Sequence, residues 1–236
     1  MPYEVKTEDG YTLTLMNITK KHSAWRVKAK LNPIIVQGIP GMQPDYAIES
    51  NMNLSNGLPA DYPIPFKLLD AGHDLWYIYN RGGTYSQKHH TLSVYDADFW
   101  NFTFEELGRY DLKAAMDFVY TKTGKKTGIF ATQAGNTVAV SGITSDYEWF
   151  KERTYKIVMM EPCTIFVPAV TEYINAKKMA TYEAMDVFEE GGPTWYKTAS
   201  KLVQIEGGLE GFRAMLYGGI GSAIKGMPIK LMEHLA

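Results

Sequence analysis

The 236-residue sequence is 45% hydrophobic, 13% aromatic and 21% charged, the composition of a folded globular chain rather than a disordered one. A net charge of −2 gives no electrostatic ground for nucleic-acid binding, and a single cysteine, Cys163, excludes an internal disulfide framework and a multi-cysteine metal site. No apolar run reaches the roughly 20 residues that cross a bilayer as a helix, and the first residues lack the basic and apolar blocks of a secretory signal.

Residues 3–5 and 11–18 alternate as strands, and Asp9-Gly10 between them is a hairpin turn signal. Residues 20–30 have the composition of a surface loop. Asn32-Pro-Ile-Ile-Val-Gln37 is a short apolar run that suits a buried parallel strand, with the loop Gly38-Ile-Pro-Gly41 at its carboxyl end. Residues 42–65 are loop-like, broken by Pro59, Pro63 and Pro65. A short helix is predicted over 66–71 and a second buried strand over 73–79, followed by the glycine-bearing loop Asn80-Arg-Gly-Gly-Thr84.

The strongest helix signal spans 104–123. Thr103 sits at its N-cap position and Glu106 three residues on, a capping-box pattern, and Leu107, Leu112, Ala115, Met116, Phe118 and Val119 form the core-facing stripe. After Gly124 come a strand at 128–131, the small-residue corner Ala131-Thr-Gln-Ala-Gly135, a helix starting near Gly135, and a strand at 155–160. Alternating strands and helices predict an α/β chain with a mostly parallel sheet flanked by helices. A strand-corner-helix unit is where such folds place a nucleophile elbow, built as G-x-S-x-G.

Three blocks carry a family resemblance. Tyr3-Glu-Val-Lys-Thr-Glu-Asp-Gly-Tyr-Thr-Leu13, then Asp70-Ala-Gly-His-Asp-Leu-Trp76 with Asn80-Arg-Gly82, then Phe99-Trp-Asn-Phe-Thr-Phe-Glu-Glu-Leu-Gly-Arg-Tyr-Asp-Leu112 follow one another at plausible spacings. Together they resemble the acid lipases (lysosomal and gastric lipase-like α/β-hydrolases). The resemblance covers about residues 3–165 and implies a truncated α/β-hydrolase core over 1–165, followed by a helical, glycine-rich, cap-like or interaction region over 166–236.

The departures bear on function. The family's elbow is similar to G-[HY]-S-Q-G, and aligning it here puts Ala131 on the first glycine, Thr132 before the apex, Gln133 on the nucleophile, Ala134 after it and Gly135 on the last glycine. A carboxamide is no acyl-transfer nucleophile. The family's H-G-L oxyanion loop aligns with Gln37-Gly38-Ile39, so its histidine is replaced as well. The resemblance places the family's acid and histidine beyond the matched blocks, and they are expected to be absent. The late histidine His234 lies outside any matching motif.

Other reactive residue types carry weaker signals. Thr132, Ser141 and Cys163 lack a partner base and read as structural. His89-His90 read as a surface loop rather than metal ligands, and Asp96, Asp98 and Asp111 as caps, loops and a structural acid. Asn80-Arg-Gly-Gly83 is a weak phosphate-loop signal without a following helix. Asn17-Ile-Thr19, Asn53-Leu-Ser55 and Asn101-Phe-Thr103 are N-glycosylation acceptor sequences that fit a secreted lipase ancestor and, with no signal in view, are expected to go unused.

The resulting expectation is a catalytically inactive, lipase-like pseudoenzyme with no catalytic residue, metal or cofactor. It is expected to act as a structural subunit of a larger protein assembly, with a non-catalytic lipid- or acyl-binding module as the alternative. Its partners would be other protein subunits, meeting an apolar surface that includes Leu209, Phe212, Leu216, Tyr217, Ile220 and Ile224. The expected location is intracellular, with a mitochondrial inner-membrane complex proposed as the assembly.

Overall fold

A computed structural model describes residues 1–18, 31–40 and 64–160. The predicted cap-like region 166–236 with its candidate surface residues, the loops at 20–30 and 42–63, Cys163 and His234 lie outside the described residues.

The described part is one seven-stranded sheet with helices on its faces. Strand β1 (Pro2–Lys6) and β2 (Tyr11–Ile18) form the predicted antiparallel hairpin, with Tyr3 opposite Leu15 and Val5 opposite Leu13. β3 (Ile34–Gln37) is central, helix α1 (Ile64–Asp70) follows, and β4 (Leu75–Tyr79) lies parallel to β3 and antiparallel to β2. The two-residue β5 (Lys88–His89) pairs with β2. Helix α2 (Phe104–Glu106) passes through a π-helical turn (Leu107–Leu112) into α3 (Lys113–Thr123). β6 (Thr127–Thr132), α4 (Gly135–Ser145), α5 (Tyr147–Arg153) and β7 (Thr154–Met160) complete it. The strand order is β1-β2-β4-β3-β6-β7. The four strands β4, β3, β6 and β7 are parallel; the hairpin makes the sheet mixed at its other end.

The sequence dictates this order locally. In β2 the buried positions are Tyr11, Leu13, Leu15 and Asn17, alternating with half-buried ones, as a strand with one packed face requires. β3 and β4 are buried along their whole length, the signature of central strands covered on both sides. On one face Leu13, Leu15, Ile35, Trp76, Ile78 and Ile129 pack against Phe99, Phe102, Leu107, Leu112, Met116 and Val138. On the other, Val36, Leu75 and Tyr77 meet Leu68 and Leu69 of α1. Each such side chain contributes about 1.5–3 kcal/mol when fully buried.

Five of the six predicted stripe residues of the long helix are buried, and Phe118 packs partly buried beside them. The π-turn was not visible in the pattern. It coincides with the tightest helix contact, because a Cβ on Gly108 would collide with the backbone of Gly142 and Val138 in α4. The predicted capping box is present: Glu105 N–H donates to Thr103 Oγ1 at 3.2 Å, and Thr103 N–H donates to Glu106 Oε2 at 2.6 Å. Thr103→Ala is expected to cost about 1 kcal/mol in a urea-unfolding measurement.

The same box sets a pH dependence. Burial pushes the Glu106 carboxyl up, but hydrogen bonds from the Thr103 side chain and backbone outweigh it and hold the group below its ordinary range. A lowered folded-state value stabilises the fold above the unfolded-state value, and that stabilisation is lost as pH falls through the folded one. Acid unfolding followed for wild type and Glu106→Gln should therefore show the two stabilities converging as pH drops below about 4, with wild type the more pH-sensitive.

Candidate functional site: the strand-to-helix corner at Gln133

The chain turns from β6 into α4 through Gln133, and the backbone there is strained. Gln133 has φ 49°, the one positive value among the described non-glycine residues. A side chain in this left-handed region costs about 1–2 kcal/mol, so the surrounding structure must enforce it. Three hydrogen bonds do so at the joint. Gln133 N–H donates to Met160 O at 3.1 Å, and the Asn136 amide donates to Gln133 O and to Met160 O, both at 2.8 Å. Asn136 thus fastens the first turn of α4 to the end of β7. Gln133→Gly removes the strain and is expected to raise stability by about 1 kcal/mol, read as a higher urea midpoint at unchanged slope.

Of the five corner residues, Ala131, Ala134 and Gly135 are buried, Thr132 is half-buried, and Gln133 is exposed at the apex. The oxyanion-loop segment lies directly against the corner: a Cβ on Gly135 would overlap Gln37 O and come within 2.6 Å of Gly38 O. Only glycine permits that approach. In an elbow of this type the oxyanion donors are the N–H after the nucleophile and one from the loop after the neighbouring strand; the corresponding positions are Ala134 and Gly38-Ile39. The structure therefore brings together the two motifs that the sequence aligned separately.

Gln37 is fully buried. Its Nε2 donates to Asn80 Oδ1 at 2.7 Å and to Gly38 O at 3.0 Å, while its Oε1 is buried without a partner among the described residues. Asn80 Nδ2 passes the chain on to Asp111 Oδ2 at 3.4 Å. Asp111 is fully buried and takes Arg81 Nε at 2.8 Å and Arg81 N–H at 2.9 Å. The other edge of the guanidinium donates to Asp9 at 2.6 and 2.8 Å, and its plane lies 4.0 Å from the centre of the Tyr11 ring. A polar chain thus runs from the hairpin turn to the oxyanion-loop position.

Electrostatics follow from burial. Burial pushes the Asp111 carboxyl above its usual range, and the Arg81 charge only partly restores it. Burial works against the Arg81 charge too, but Asp111 and Asp9 more than offset it and hold the guanidinium above its ordinary value. Burial raises the Tyr11 hydroxyl to about 12. Asp9, only partly buried, is held below its usual value because its Arg81 contacts outweigh burial.

The remaining candidates are dispersed. Ser141 lies inside α4. Arg81 is committed to two carboxylates, so the Asn80–Gly83 loop offers no free cation to a phosphate. His89 is an ordered structural residue: Nε2 bonds Asp9 O at 3.0 Å, and Nδ1 accepts from Thr91 and Leu92 N–H. His73 bonds Asn32 O at the opposite end of β3 from the elbow. Asp96 precedes a 3-10 turn (Ala97–Trp100) and accepts from Ser93 N–H at 2.7 Å. Among the described residues no group of three or more His, Cys, Asp or Glu side chains could hold a metal ion, and no helix is long and apolar enough to cross a membrane. Sequence reasoning missed Asn136 and the Gln37–Asn80 link. A polar residue one step into a helix N-terminus was the available signal for Asn136.

The parallel strands, the strained strand-to-helix corner and the loop packed on it define an α/β-hydrolase-type fold. No family model matches the chain. In sequence it is similar to acid lipases over part of its length. It is 38% identical over 127 residues to human lysosomal acid lipase/cholesteryl ester hydrolase, covering 52% of this chain and 29% of that one. It is 36% identical over 124 residues to mouse Lipase member M, covering 52% and 28%. A tear acid lipase-like protein of Mesocricetus auratus is 27% identical over 201 residues, covering 85% and 44%. The chain spans less than half the length of these relatives. Among solved structures, a Pyrococcus furiosus esterase matches with TM-score 0.39 at 17% identity, over 63% of this chain and 47% of that one. A Bacillus subtilis carboxylesterase matches with TM-score 0.39 at 12% identity, over 73% and 48%.

Proposed function

We propose that this protein is a non-hydrolytic relative of the acid lipases that serves as an accessory subunit of a larger protein assembly. The observation that carries the first half is Gln133 at the apex of the strained corner. A carboxamide there has no oxygen that a base could turn into a nucleophile. The neighbouring hydroxyl of Thr132 sits half-buried off the apex, and His73 and His89 are bonded elsewhere.

Support for the second half comes from β7. No described strand pairs with its outer edge, and Tyr155, Ile157 and Val158 are 39%, 40% and 41% exposed. An apolar edge strand is a ready template for another chain. The location we propose is intracellular, a mitochondrial inner-membrane complex being the first assembly to examine.

Ester hydrolysis across short and long acyl chains tests the first half; the expected result is background turnover. Turnover that disappears on changing Thr132 or Cys163 contradicts it. For the second half, native electrophoresis and pull-down from source cells should find the chain in a stoichiometric complex. A monomer carrying a co-purified acyl ligand would instead favour lipid binding.

A further inference from the structure

One acceptor sequence for N-glycosylation falls on a residue the fold cannot release. Asn17-Ile-Thr19 satisfies the Asn-x-Thr requirement, with isoleucine rather than proline in the middle. Asn17 nevertheless lies in β2, opposite Trp76 of β4, and is only 9% exposed. Its Nδ2 donates two hydrogen bonds, to Asp74 Oδ1 at 2.7 Å and to Leu75 O at 3.1 Å. Both neighbours are oxygens that can only accept, so the orientation of the amide is dictated. The second oxygen of Asp74 accepts from Trp76 Nε1 at 2.8 Å, which ties the same carboxylate to the core. Asn101, in another such sequence, is exposed instead.

The chemistry leaves no compromise. N-glycosylation replaces one of the two Nδ2 hydrogens by a bond to a sugar carbon. One hydrogen remains for two acceptors, so one buried oxygen loses its donor, at a cost typical of an unsatisfied buried polar group. The sugar must also find room at a side chain only 9% exposed, whose Nδ2 lies against Asp74 and Leu75. A glycan on Asn17 therefore opposes the packing of β2 beside β4.

We infer that Asn17 is a forbidden modification site, and that a chain glycosylated there does not reach the fold described. The inference rests on Asn17 alone, so it stands or falls separately from the loss of hydrolysis.

The test directs the full 236-residue chain into the secretory pathway of a glycosylating cell with a cleavable signal, beside the untagged chain in the cytosol and a Thr19→Val variant. Thr19→Val removes the acceptor sequence and keeps the Asn17 side chain, while Asn53 and Asn101 remain in every form. The secretory wild-type chain should carry a glycan at Asn17 by peptide mass spectrometry and be retained as insoluble material. Thr19→Val should recover soluble, protease-resistant protein at least several-fold better, and the cytosolic form should be soluble and unmodified. A secretory wild-type chain that emerges folded with Asn17 glycosylated would overturn the inference. So would a Thr19→Val chain retained as firmly as wild type.

Discussion

Arg81→Met is expected to lower the unfolding free energy by about 3–5 kcal/mol, the range for removing one partner from a buried ion pair. The size follows from what is left behind. Asp111 is fully buried, and without Arg81 its carboxylate keeps only the long hydrogen bond from Asn80 and the Arg81 backbone N–H. Asp9→Asn should cost less, because the Asp9 side chain is 25% exposed and water can replace part of the contact. The double change Arg81→Met with Asp111→Leu removes both buried charges and should recover much of the loss, a coupling that a double-mutant cycle in urea measures directly. A single-mutant cost below about 1 kcal/mol, the level of an exposed pair, would show that this pair is not buried as described.

The second large effect is at the corner. Gly135→Val should cost about 1–3 kcal/mol or more, the range for overpacking a close-packed site. A side chain there meets backbone oxygens of Gln37 and Gly38 rather than the flexible end of a side chain, so relief requires β3 and α4 to separate. Because Gln37 is the first link of the buried polar chain, the strain reaches Asn80 as well. The unfolding midpoint should fall, and amide exchange in β3 and at the start of α4 should quicken ahead of the hairpin. A variant as stable as wild type, with unchanged exchange, would show that loop and elbow are not in contact.

Much of this architecture was legible because the local signals agree with one another. The apolar run ending at Gln37, the capping box at Thr103 and the small-residue corner at 131–135 each state their structure within a few residues, and β3, the long helix and the strand-to-helix corner lie where they read. What stayed hidden depends on partners distant in sequence. Asp111 and Arg81 are 30 residues apart, and nothing in either segment says that the arginine is enclosed rather than exposed. Asn136 reaches 24 residues forward to Met160. The π-turn at Leu107–Leu112 coincides with the close approach of Gly108 to Gly142 of another helix, a partner outside its own segment. At the site, the identity of Gln133 was legible; its strained backbone was not, since glutamine gives no sign of a positive φ.

For the corner at Gln133 we propose that the backbone of an elbow is kept and its nucleophile lost. Covalent labelling of the full-length protein with a fluorophosphonate, which reacts with activated hydroxyls, tests it most directly. Intact-mass measurement should show no adduct after an exposure that labels an active serine hydrolase to completion. An adduct mapping to Thr132 or Ser141 and blocked by an acyl substrate would contradict the claim.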